Sequence, residues 1–127
     1  MEYTIEFGGD PQDVTITQWG TADLDSMRQF NADLTGDPRY RAGLLLLFEN
    51  SSLDLSALSD TELEQTAIDV VERDWVAFPR AVAIVALDAQ THAREREIVA
   101  HLGGSRSRRR VFTSSEAAVS WLREQRD

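Results

Sequence analysis

The chain has no cysteine and no lysine among its 127 residues. Without thiols it can form no disulfide, no thiolate metal site and no cysteine nucleophile. All thirteen basic residues are therefore arginine. A GC-rich genome is the plain reading of that bias, and adaptation to salt the sharper one. Long apolar runs are missing too. Neither LLLLF at 44–48 nor AVAIVAL at 81–87 is nearly long enough to cross a membrane. The N-terminal MEYTIEFGGD has neither the basic nor the apolar region of a signal peptide, so a cytoplasmic protein with no membrane partner is expected. Catalytic and phosphate-binding signatures are also lacking. There is no G-x-G-x-x-G, no P-loop, no H-E-x-x-H and no G-x-S-x-G elbow.

What remains is ordinary for a globular domain: 42% hydrophobic and 28% charged residues, enough for a single core. The length argues for one domain covering residues 1–127. A formal net charge of -9 argues against nucleic acid as a partner.

Residues 2–7 alternate, with Tyr3, Ile5 and Phe7 on one side and Glu2, Thr4 and Glu6 on the other, as in a half-buried strand. After the turn GGDPQD, residues 13–19 alternate again, which predicts an antiparallel hairpin. Thr21 is placed to cap a first helix carrying Leu24, Met27, Phe30 and Leu34 at helical spacing, stopped by Gly36 and Pro38. GLLLLF at 43–48 reads as a buried central strand, and ENSSLDLSAL as a loop. Ser59 and Glu62 make a capping box for a second helix, with Leu63, Ala67, Val70, Val71 and Trp75 inward. RAVAIVAL supplies another buried strand at 81–87. A third helix is expected over 90–102, with a weak stripe of Ala93, Ile98, Val99 and Leu102, ending at Gly103 and Gly104. RRVF at 109–112 is a last strand, and Thr113 with Glu116 forms a capping box for a C-terminal helix whose Ala118, Trp121 and Leu122 face inward. The order is β-β-α-β-α-β-α-β-α, an α/β fold of about five strands, mostly parallel with an antiparallel first strand.

Two phrases carry a family resemblance. Asp37, Pro38, Tyr40, Arg41 and Gly43 lead into the central strand, and Val111, Phe112, Glu116, Ala117, Trp121 and Leu122 close the chain. Together with AVAIVAL they resemble the STAS domain in its SpoIIAA-like branch, over nearly the whole length. The resemblance implies a sheet with strands in sequential order and helices mainly on one face. The opposite face would then show an apolar centre, covered by a second subunit, by the loop 51–58 or by an apolar ligand. In partner-switching STAS proteins a D-S-S-G phrase carries a phosphorylated serine. Here the corresponding residues are Asn50, Ser51, Ser52 and Leu53, without the aspartate or the glycine.

Ligands of parallel α/β sheets gather beyond the carboxyl ends of the strands. Glu49, Asn50, Ser51, Ser52, Asp88, Thr91 and Thr113 are the polar residues expected at that edge, as a ligand or partner site, with turn formation and capping as the competing role. Arg106, Arg108 and Arg109, with Arg110, form a basic cluster on an acidic chain. They are candidate contacts for an anion, with a solvated charge-balancing loop as the alternative. His92 and His101 lie nine apart on a predicted helix, on opposite sides, which gives no metal site. The expectation is a non-enzymatic STAS-like regulatory module, with no catalytic residues and no cofactor. It would bind a protein partner or a small apolar or anionic ligand. The alternatives are a homodimer built on the apolar sheet face, or an enzyme working around Glu49 and Asp88.

Overall fold

The computed structural model describes residues 1–103 and 105–126. Its elements follow the predicted order: β1 Glu2–Phe7, β2 Val14–Thr21, α1 Leu24–Gly36, β3 Leu45–Asp54, α2 Asp60–Val76, β4 Ala81–Val85, α3 Ala89–Ala100, β5 Arg108–Phe112 and α4 Ser115–Arg126. The five strands form one sheet in sequential order. β1 pairs antiparallel with β2, and every later pairing is parallel. Each parallel pair is joined through a helix, as parallel strands require.

Strand alternation sorts the core into two layers. One face of the sheet carries Val14, Ile16, Leu46, Phe48, Val82 and Ile84, packed against Phe30 and Leu34 of α1 and Val99 of α3. Tyr3, Phe30 and Phe48 meet edge to face at 5.3 and 5.7 Å, the arrangement aromatic quadrupoles favour. A second cluster continues this layer under α2 and α3, with Leu53, Leu55, Leu58, Leu63, Ala67, Ile98 and Leu102. The other face carries Leu45, Leu47, Ala81, Ala83, Val85 and Phe112, packed against Ala118 and Leu122 of α4. Three helices therefore lie on one face and one on the other. The apolar centre of the second face is covered by the chain's own C-terminal helix, and not by loop 51–58, because α4 turns its stripe of Ala118 and Leu122 onto it.

Only the second half of that loop, 55–58, is loop. β3 continues through Ser51 and Ser52 to Asp54, pairing with an equally extended β2 as far as Thr21↔Asp54. A register shift between Thr17 and Trp19 lets β3 carry one extra residue there. β4 ends at Val85, opposite Glu49, so the extension has a partner on one side only. Backbone pairing holds it without burying Ser51 or Ser52, which is why apolar periodicity missed it.

The helix ends differ from expectation in similarly local ways. Asp23, and not Thr21, caps α1, because Thr21 is still in β2; Asp23 and Ser26 form a reciprocal capping box. The Ser59–Glu62 box is present as expected. Ser114, and not Thr113, accepts the Ala117 N–H at the start of α4. α3 stops at Ala100, where the His101 N–H closes the last turn. Gly103 lies beyond it, and Gly104 lies outside the described residues. Two expected core positions are also displaced. Trp75 is 79% exposed and Asp74 points inward in its place, while exposed Ala93 yields to buried Glu95 on α3.

Candidate functional site

The residues expected at the carboxyl edge do not converge. Glu49 lies on the α4 face, where its carboxylate accepts from Ser115 Oγ at 3.2 Å. Asp88 caps α3 by accepting from the Thr91 N–H at 3.0 Å. Thr91 is buried, and its hydroxyl donates to the Leu53 carbonyl at 2.9 Å, tying α3 to the end of β3. Ser51, Ser52 and Thr113 are exposed. Of these residues, Asn50 alone reaches the cavity between the sheet and α1–α3.

Asn50 leaves the end of the β3–β4 ladder on the face covered by α1–α3. It is 2% exposed, and its Nδ2 donates to Glu95 Oε1 at 2.8 Å. Its Oδ1 is buried without a hydrogen-bond partner. Glu95 is itself 6% exposed. Burial pushes its carboxyl up to about 7, against the smaller opposing effect of the Asn50 hydrogen bond. Neutral and ionised forms therefore coexist near neutral pH.

This pair borders a cavity of about 60 Å³ between the sheet and α1–α3. Phe30, Phe48, Val82, Ile84, Ile98 and Leu102 supply most of its apolar wall, while Gln18, Asn50, Thr66 and Glu95 add polar groups. Arg73 and Arg109 border it as well. By volume it holds about four or five water-sized groups.

The two arginines belong to a buried ion cluster. Arg109 Nη2 meets Asp74 Oδ2 at 2.8 Å, with side-chain exposures of 4% and 2%. Arg109 also donates to Ser105 Oγ, which in turn donates to the same carboxylate oxygen at 2.7 Å. Arg73 Nη1 donates to Asn31 Oδ1 at 3.0 Å, and its Nε lies 3.7 Å from Asp74 Oδ1. Burial lowers the pKa of Arg109 from its ordinary value, partly offset by the charge of Asp74. Arg109 is thus no surface anion contact, because β-alternation turns it, with its neighbour Val82, to the face covered by α1–α3.

No family model and no curated protein sequence matches this chain. Among solved structures it is similar to an uncharacterised DUF3478-family protein with a SpoIIAA-like fold from Shewanella loihica PV-4. The match covers 94% of this chain and 93% of that one, with a TM-score of 0.58 and 17% identity. The fold is SpoIIAA-like. At that identity the likeness concerns architecture alone.

Within this SpoIIAA-like frame, Gln18, Thr66, Arg73, Asp74 and Glu95 are the buried polar residues that sequence reasoning did not single out. Two of them left a trace. Glu95 sits in register with Thr91, Ile98 and Leu102, and Asp74 with Leu63, Ala67 and Val70, so each is a charge on an apolar helical stripe. His92 and His101 stay apart, and among the described residues no group of three or more His, Asp or Glu is placed to hold a metal ion.

Proposed function

We propose that the protein is a non-enzymatic STAS-like binding module. Its ligand is a small, mainly apolar molecule bearing one hydrogen-bond donor, taken between the sheet and α1–α3. The observation that carries this reading is Asn50 Oδ1, a buried acceptor with no partner at the edge of an apolar cavity. An unpaired buried acceptor costs about 1–3 kcal/mol. A ligand hydroxyl or amide N–H recovers that cost and leaves the apolar remainder against Phe30 and Phe48. Glu95 in its neutral form can both donate and accept there. A carboxylate fits poorly against this pair, since Asn50 Oδ1 offers no proton and ionised Glu95 beside it would repel the charge.

The homodimer reading loses its main support, because α4 occupies the apolar face it needs. The enzyme reading loses its geometry, because Glu49 and Asp88 are committed to Ser115 and Thr91 on separate elements.

Short alcohols and primary amides are suitable probes, followed by NMR of the Phe30 and Phe48 rings and by melting temperature. Saturable shifts of those rings, abolished by the space-filling Val70→Phe, are expected. Probes that perturb neither ring, or that bind Val70→Phe equally well, would overturn the reading.

A further inference from the structure

A second polar concavity lies at the opposite end of the sheet, at the amino ends of β4 and β5. Arg80 immediately precedes β4, and Arg108 opens β5; the two meet where the Arg108 N–H approaches the Arg80 carbonyl at 3.4 Å. With Arg106 they line a groove of about 560 Å³, completed by Ala42, Gly43, Phe78 and Gln125. All three arginines are exposed. Among the described residues none of the three forms an ion pair, and no carboxylate lines the groove. Arg108 Nη1 donates to Gln125 Oε1 at 2.9 Å, and the Arg106 guanidinium lies 5.7 Å from the centre of the Phe78 ring. These contacts hold the two side chains, and among the described residues no anion neutralises their charges.

We propose that this groove binds a compact, phosphate-bearing small molecule. Three guanidiniums call for an anion of more than one charge, and a phosphate monoester carries about two at neutral pH. The arginine fork pairs with phosphate oxygens through two N–H groups at once. The groove is the size of a small-molecule site. An extended polyanion is disfavoured, because the chain carries a net charge of -9 and the surface beyond the groove repels it. This proposal is independent of the interior cavity, which lies on the other side of the sheet from Arg108.

The test is calorimetric titration with inorganic pyrophosphate at fixed ionic strength, using the full chain. Saturable binding is expected. It should weaken about tenfold or more in Arg108→Gln and in Arg80→Gln, the loss of charge-assisted hydrogen bonds. Arg96→Gln, an exposed arginine on α3 that forms no ion pair among the described residues, should bind as the parent does. Sedimentation with phosphatidylcholine vesicles containing phosphatidic acid separates the sources of phosphate. Binding of pyrophosphate without vesicle association supports a free small molecule, and vesicle association without pyrophosphate binding overturns it. Absence of binding, or equal weakening by Arg96→Gln, would also overturn it. A destabilised Arg108→Gln with no anion effect in the parent would assign Arg108 to the α4 terminus alone.

Discussion

Arg109 and Asp74 meet at 2.8 Å with both side chains almost wholly out of water. They join β5 to α2 across the layer that also holds Arg73. Two cations thus share one buried carboxylate, and removing that carboxylate leaves both uncompensated. Asp74→Ala is expected to cost about 3–5 kcal/mol. Replacing Asp74 by Leu together with Arg109 by Met leaves Arg73, still bonded to Asn31, as the one cation of the cluster without its anion, and should cost less. Urea unfolding of the three proteins gives the comparison; equal losses would mean that an unpaired Arg109 carries no penalty.

Glu95 makes stability depend on pH in an unusual direction. Its folded pKa, about 7, lies above the ordinary value of 4.5, because burial disfavours the anion. The folded state therefore holds a proton that the unfolded state releases. The contribution is complete below about pH 4.5 and is lost as the pH rises through 7, on the order of 3 kcal/mol in all. Glu95→Gln keeps an acceptor for Asn50 and removes the titration. Between pH 5 and 7.5 the parent should lose stability relative to this variant; parallel stability curves would contradict the assignment.

α4 covers the second face of the sheet through Ala118 and Leu122, both without solvent exposure. Leu122→Ala deletes a packed side chain against β3 and β4 and should cost about 2–5 kcal/mol. A loss below about 1 kcal/mol in chemical denaturation would show that α4 is not firmly seated.

The start of α4 separates two adjacent hydroxyls. Ser114 Oγ accepts from Ala117 N at 3.2 Å, whereas Thr113 is exposed. Ser114→Ala should cost about 1 kcal/mol and Thr113→Ala almost nothing. The reverse order of melting temperatures would restore the capping box expected from the sequence.

Strand and helix order, the antiparallel opening hairpin and the Ser59–Glu62 box were legible because each rests on local periodicity or a short-range hydrogen bond. The extension of β3 through Ser51 and Ser52 was not. It depends on backbone pairing with a partner thirty-odd residues away, and such pairing leaves no apolar pattern when its side chains face water. The candidate site was legible only in Asn50. Its partner Glu95 lies on another element, and the sequence shows Glu95 only as a charge interrupting a weak stripe. Among the arginines, alternation along β5 decided everything: odd-numbered Arg109 turns inward to Asp74, while Arg108 turns toward Gln125 and solvent.

By itself the sequence determined the fold class, the order of elements and the absence of any thiol chemistry, since propensity, patterning and composition act locally. The tertiary structure decided which charges are buried and with whom. It also decided that α4 closes the open face of the sheet, and that Arg80 joins Arg106 and Arg108. Burial and pairing are properties of neighbours in space, and the chain reveals those only when helices and strands have packed.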